Sequence, residues 1–478
     1  MSGPERIDAA EWQRRFLDLD PAAAREPRYF RHLGERAWAH YLKPPSSYRA
    51  YGFRRLSRLR FDGDARALRL FSFVMEETER LFRARQEGMK VVALMGDYGA
   101  VAPLLGAFPD TVAFYPDFTY FTPFLCESDV LLDRAERLGI GEDTCYVRAA
   151  AGAFAARANW PDPDLVVISS GASCDDLAAT AQAAFDLGHP ALFLDIPCRK
   201  DPAPWLGATR FEEADGRPPV EEGLVERLAG QYREFLIRAG EVLGRAPDGD
   251  ALAASVELAR RTRRTIGRIR ERLATAPAAP LPAYEAMLAE FAATHGYGDP
   301  VECEAILEGV RDLVEDRAAA GTGVLPPDAP RVVWATPPPD PLLFTCLEDA
   351  GARVAGSEYL IASALTVPPP EADPVTAVAR AFLAGSLLGS SAARAKSVVA
   401  EVRRARAEGV VIANLFGSSH CGAETPVLRR AVEEECGIPV LSFDVPRPAV
   451  GGVPSQVKNR IEAFVEALKQ RRNACGRR

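Results

Sequence analysis

The stretch GVVIANLFGSSHCGAETPVLRRAVEEECGIPVLSFDVP, residues 409–446, opens with an unbroken apolar run rich in β-branched residues and passes through a Gly–Ser loop. It continues as TPVLRRAVEEECG, with apolar residues at helical steps and a closing glycine, and ends in a second apolar run, IPVLSFDVP (438–446). A strand that is apolar on every residue needs cover on both faces, and two such strands separated by a helix form a parallel pair with a crossover. Working outward, RVVWATPP (331–338) precedes this unit as a further strand, and PSQVKNRIEAFVEALKQRR follows it as an amphipathic helix.

The same grammar occurs earlier in the chain. MKVVALMG (89–96), PDLVVISSG (163–171) and HPALFLDIP (189–197) are short apolar runs, separated by DVLLDRAERLG and CDDLAATAQAAFDLG, each with helical spacing and a terminal glycine. Residues 206–327 read as helices broken by the joint ATAPAAPLP (274–282), and residues 1–88 read as amphipathic helix. The fold class is therefore α/β, with two doubly wound lobes of parallel sheet at 89–205 and 328–478 and three strands recognised in each. A helical segment, 206–327, joins them, and a helical extension, 1–88, precedes them.

At 478 residues the chain is long enough for about three domains. It is 47% hydrophobic and 26% charged, an ordinary globular balance, and no uncharged apolar run of about 18 residues suggests a membrane span. The start, MSGPERIDAAEWQRRF, lacks an apolar signal region, so the expected location is the cytoplasm. The net charge is -8, and the basic clusters RRLSRLR (54–60) and RRTRRTIGRIRER (260–272) are interrupted by apolar residues at helical steps. They read as solvated helix faces, not as a nucleic-acid surface.

Nine cysteines in a reducing compartment do not suggest a disulfide framework, and no CxxC pair is present, which excludes zinc ribbons and thioredoxin-type or ferredoxin-type sites. Ligands of open α/β sheets bind at the carboxyl ends of strands. Cys174 and Cys421 each follow a strand and precede a helix, and Cys145, in GEDTCYVRAAAGAF, sits where a loop enters a helix. The positive end of a helix lowers a thiol's pKa, so all three are expected to be good thiolate donors.

The blocks CYVRAAAG (145–152), PDLVVISSGASCDD (163–176), LFLDIP (192–197), the 409–446 stretch and QVKNRIEAFVEAL (456–468) carry a resemblance. In order and spacing the chain resembles the 2-hydroxyacyl-CoA dehydratase and benzoyl-CoA reductase family, over about residues 89–200 and 330–470. The resemblance implies two Rossmann-like or flavodoxin-like lobes and an oxygen-sensitive [4Fe-4S] cluster held by Cys145, Cys174 and Cys421, with one iron left open. It implies a CoA-thioester substrate, a related second subunit or a second copy, and a separate ATP-dependent iron–sulfur activator. The chemistry implied is low-potential electron transfer, giving a ketyl radical anion in 2-hydroxyacyl-CoA dehydration or reducing an aromatic acyl-CoA. Where many relatives have a Pro-Glu step after the first strand, this chain has MGDYGAVAPLLGAFP (95–109). That change leaves open a non-catalytic electron-relay subunit, and a metal-free two-lobed binding protein is a third reading.

Cys126, Cys198 and Cys436 are further candidates, because one branch of the family holds a double-cubane cluster with additional cysteines. They read primarily as ordinary residues. His420 adjoins Cys421 and is a candidate proton donor, whereas His32, His40, His189 and His295 carry no partner pattern. Asp97, Tyr98 and the aromatic run 114–124 read as packed loop before acyl-group lining. Ser169, Ser170, Ser173, Ser418 and Ser419 flank the cysteines as potential hydrogen-bond donors to cluster sulfur. No GxGxxG, GxxxxGK[ST] or GxSxG motif occurs, so an ATP requirement would belong to a partner.

Overall fold

Short apolar runs become the inner strands of two parallel sheets because helices cover both faces of each. The protein is described by a computed structural model over residues 4–18, 56–97, 99–116, 129–157, 159–171, 174–199, 220–336, 340–445 and 452–475. Among the described residues the N-terminal part is largely helical, with α1 (Ala9–Asp18), α2 (Ala65–Met75) and α3 (Glu77–Gln86). It also contains a feature the sequence did not suggest, a two-residue antiparallel pairing of β1 (Arg6–Ile7) with β2 (Phe61–Asp62).

The first lobe runs β3 (Lys90–Met95), α4 (Ala102–Leu105), β4 (Thr111–Phe114), α5 (Asp129–Arg137), a one-turn 3-10 helix (Tyr146–Arg148) leading into α6 (Ala149–Ala156), β5 (Leu165–Ser170), α7 (Asp175–Asp186) and β6 (Ala191–Asp195). The connecting region is α8 (Glu222–Leu243), α9 (Gly249–Thr275), α10 (Ala283–His295) and α11 (Pro300–Ala320). The second lobe runs β7 (Arg331–Ala335), α12 (Pro341–Asp349), β8 (Arg353–Glu358), α13 (Pro374–Leu383), α14 (Ser391–Ala405), β9 (Gly409–Leu415), α15 (Ser419–Cys436), β10 (Val440–Val445) and α16 (Ser455–Cys475).

Both sheets are parallel throughout and have the same strand order, β4-β3-β5-β6 in one and β8-β7-β9-β10 in the other. Counted within each lobe this is 2-1-3-4, which puts the topological switch point between the first and third strands. Each sheet has one strand more than the sequence pattern indicates. The additions are β4 (TVAF) and β8 (RVAGSE), too short or too rich in Ala, Gly and Ser to stand out as apolar runs. Their burial comes from neighbours in space and leaves no local signature.

One continuous core joins the lobes. It takes Val91, Ala93 and Met95 of β3, Val166 and Ile168 of β5, Val332 and Trp334 of β7, Val411 and Ala413 of β9, and much of α10 and α11. The opposite face of the first sheet packs with α8, and also with Val375, Val378 and Phe382 of α13, which lies in the second half of the sequence. The long helix α9 reaches both lobes. Arg263, near its middle, donates to the Gly99 carbonyl at 3.0 Å and to the Thr366 carbonyl at 3.2 Å.

Gly152 fixes how closely α6, the helix that follows Cys145, approaches α5. A Cβ there would fall 1.9 Å from the Leu131 carbonyl oxygen, so one methyl group forces the two helices apart. Gly152→Ala is expected to destabilise the fold by about 1–3 kcal/mol, the usual cost of overpacking. Urea unfolding measures this, and an unchanged or raised midpoint would contradict the packing described.

Candidate functional site

The third strand of each lobe ends at a glycine in the left-handed region, Gly171 after β5 (φ 84°) and Gly417 just past β9 (φ 83°). Neither position has room for a side chain. A Cβ on Gly171 would sit 2.4 Å from the Ile196 carbonyl oxygen, and one on Gly417 would sit 2.9 Å from the carbonyl oxygens of Glu142 and Thr144. Gly417 therefore lets the loop just before Cys145 press against the start of α15. Tyr146, the next residue, donates from its hydroxyl to the Val445 carbonyl at 3.5 Å, a second contact between the lobes at this place.

These close approaches bring together the three cysteines that the strand-end reading selects. Cys145 is the N-cap of the 3-10 helix, Cys174 is the N-cap of α7, and Cys421 lies in the first turn of α15. Cys145 and Cys421 are buried at 7% and 2% exposure, and Cys174 is half-buried against the same core. The thiols are close enough to interact by charge: ionisation of Cys145 is opposed by Cys174 and Cys421, and that of Cys174 by Cys421.

Donors also converge on the sulfurs. The backbone N–H of Val147 points to Cys145, those of Leu177 and Asp176 to Cys174, and the Ser418 side chain to Cys421. The expected lowering of thiol pKa at helix starts is nevertheless overturned. Burial is the largest influence on all three, pushing Cys174 up to about 12, Cys145 well above its ordinary value and Cys421 upward. Desolvation of a thiolate outweighs what one or two N–H groups return. Asp176, beside Cys174 in the first turn of α7, adds negative charge felt by all three.

Among the described residues no three His, Cys, Asp or Glu side chains converge tightly enough to surround a single ion. Thiolates about 2.3 Å from one metal must crowd together.

The other candidates fall into place as follows. Cys198, after β6, is exposed and donates to the Gly171 carbonyl at 3.2 Å, while Cys436 ends α15 at the far end of that helix from Cys421. Cys126, Tyr98, Ser173, His32 and His40 lie outside the described residues. His420 is 40% exposed and its Nε2 lies 3.4 Å from Glu424. Ser170 donates to the Leu194 carbonyl, Ser169 is buried, and Ser418 caps α15. His295 is enclosed between Tyr115 and Phe291, and burial holds its pKa down at about 3. Sequence reading missed Asp176, although it stands two residues from Cys174, and it missed Arg394 and Glu424. The buried Arg394 guanidinium interacts by charge with Cys421 and pairs with Glu424.

Asp97 turns inward. Its carboxylate accepts from Val101 N at 2.5 Å and from the Tyr115 hydroxyl at 3.2 Å, and burial raises its pKa from 3.8 to about 6. An acid whose pKa is raised by folding costs no stability below about pH 3.8, and the penalty is complete above about pH 6. Asp97→Asn is expected to stabilise the protein by about 1–3 kcal/mol at pH 7 and to flatten its stability between pH 4 and 6. Thermal melts across that range measure it, and a destabilised variant at pH 7 would contradict the assignment. Burial of the three thiols also fixes an order of reactivity. In iron-free protein at pH 8, iodoacetamide is expected to label Cys198 before Cys145 and Cys421, and peptide mapping showing the reverse order would place those thiols at the surface.

A family model described as 2-hydroxyglutaryl-CoA dehydratase, D-component, matches residues 105–468. No curated protein matches the chain. The matched span starts at the end of α4 and contains Cys145, Cys174, Cys421 and the whole second sheet. It takes in most of the chain, so the protein belongs to the family of the 2-hydroxyglutaryl-CoA dehydratase D-component and is a component of the 2-hydroxyacyl-CoA dehydratase type.

Proposed function

We propose that this chain is the cluster-carrying component of a 2-hydroxyacyl-CoA dehydratase, holding a [4Fe-4S] cluster through Cys145, Cys174 and Cys421. The observation that carries the reading is the convergence of these thiols, from three separate segments, to within electrostatic range of one another, with Cys145 and Cys421 in the core shared by the lobes and Cys174 packed against it. When bound, such a cluster would supply single low-potential electrons to the carbonyl of a CoA thioester, which is the chemistry that releases an unactivated 2-hydroxyl group.

The chain's own part is to hold and to insulate. Val147, Leu177 and Asp176 backbone N–H groups and the Ser418 side chain support the ligand sulfurs, which lowers the cost of negative charge on them. The core that buries Cys145 and Cys421 limits the approach of water. His420, half-exposed beside Cys421 with its Nε2 3.4 Å from Glu424, keeps its place as the candidate proton donor, since a carboxylate partner orients an imidazole. A component needs a complement. We propose a related second subunit or a second copy of this chain, and an ATP-dependent iron–sulfur activator, since this sequence has no nucleotide-binding motif. The matched description names a dehydratase, and we therefore favour dehydration over aromatic-ring reduction.

A second reading, an accessory electron-relay subunit, is favoured by one observation. The altered segment after β3 folds back into the core, with Asp97 bonded inward and α4 buried along its whole length. Addition of 2-hydroxyacyl-CoA thioesters distinguishes the two: a changed cluster electron-paramagnetic-resonance spectrum supports substrate binding at the cluster, and an unchanged one supports the relay.

The cluster itself is tested first. Protein purified without oxygen is expected to contain about four iron and four sulfide per chain, and Cys174→Ser to lose most of both. A variant with all three cysteines replaced by Ser that keeps its full iron content would overturn the assignment.

A further inference from the structure

Arg394, in α14, is almost completely buried at 1% exposure. Its Nη2 and Nε donate to Glu358 Oε2 at 2.9 and 3.2 Å, and its Nη1 pairs with Glu424. Glu358 ends β8 and is 4% exposed, while Glu424 is 6% exposed on α15. Glu424 stands three residues beyond Cys421, the spacing at which helix side chains are neighbours. The Ser386 hydroxyl completes the cluster at 3.2 Å from Glu358. Water is thus excluded from a set of charges wedged between the second sheet and the helix turn that bears Cys421.

Burying such a set is expensive, and hydrophobic residues of the same volume often serve stability as well or better. Its position suggests another use. Arg394 attracts negative charge at Cys421 and Glu424 repels it. In a medium of low polarity these influences are stronger and less screened than at a surface. We propose that the Arg394–Glu358–Glu424 ion cluster sets the reduction potential of the group bound at Cys421, Arg394 raising it and Glu424 lowering it. The inference rests on the cluster reading above and concerns positioning residues, since neither side chain is a ligand. Charges beside the ligands are one of the levers by which a protein tunes an iron–sulfur centre.

The test is a redox titration, followed by electron paramagnetic resonance, of the full chain loaded with iron and sulfide, as wild type, Arg394→Gln, Arg394→Lys and Glu424→Gln. At the wild-type midpoint, Arg394→Gln is expected to hold about tenfold less reduced relative to oxidised cluster, a downward shift of about 59 mV for one electron. Glu424→Gln is expected to shift the midpoint upward, and Arg394→Lys to remain near wild type because the charge is kept. Opposite signs matter, because simple loosening of the site would move both variants the same way. If Arg394→Gln does not fold, Glu424→Gln, which preserves shape and can still accept from Arg394, is read against Arg394→Lys: an upward shift in Glu424→Gln with Arg394→Lys unmoved supports the inference, and an equal shift in both overturns it. Midpoints that do not move, or that move in one direction for both, overturn the inference while leaving the cluster reading intact. Wild-type protein that takes up no iron overturns both.

Discussion

A site assembled from the loops of two lobes depends on the distance between those lobes, and α9 fixes it. Arg263 is buried on that helix and divides its donors between a carbonyl that follows β3 and a carbonyl that follows β8. Nearer its end, Arg270 pairs with Glu290 at 3.0 Å and donates to the Ser357 carbonyl at 2.8 Å. The carbonyls that close the helix are taken up by the second lobe as well, since Arg331 donates to Ala274 and Arg353 to Ala276. These bonds join rigid elements to rigid elements. A guanidinium that gives up one of these bonds leaves a buried N–H group unsatisfied, so the separation of the lobes is held at a cost of about 1–3 kcal/mol per bond.

Within that frame the lobes repeat one design. The residues that end their first strands, Gly96 and Thr336, have φ of 85° and 84°, and those after their third strands, Gly171 and Gly417, have 84° and 83°. Thr336 is the unusual member, since a β-branched residue is strained in the left-handed region. Its surroundings hold it there: Oγ1 donates to the Ala413 carbonyl at 2.8 Å and its backbone N–H to the Glu358 carbonyl at 3.1 Å. Cys174 and Cys421 occupy equivalent places, each at the start of the helix after a third strand. Cys145 has no counterpart in the second lobe. It comes from the loop before α6 that Gly417 admits, so two of the three cysteines follow from the repeated fold and the third from a contact between its copies.

What could be read in the sequence follows from the range of the forces involved. Inner strands such as β5 and β9 are buried on both faces, and the requirement is written in consecutive residues. β4 and β8 are buried by what surrounds them, and TVAF and RVAGSE carry no such record. Cys145, Cys174 and Cys421 were legible because loop, strand end and helix start are local features. The state of their thiols was not, because burial depends on the whole core, and it reversed the effect anticipated from the helix termini. Arg394 had no signal at all. Its partners, Glu358 and Glu424, lie 36 and 30 residues away and meet it only once α14 has packed between β8 and α15.

Burial also sets the state in which the three thiols rest. A protonated thiol behaves as a small apolar group, so three of them can share a core at little cost. A bare thiolate there would be expensive, and charge repulsion among the three, with Asp176 nearby, makes a second or third ionisation harder still. On the proposed reading a metal centre would reverse the balance, because it would displace the protons and satisfy the sulfurs directly. The same burial that keeps the thiols protonated would then hold the bound group in place.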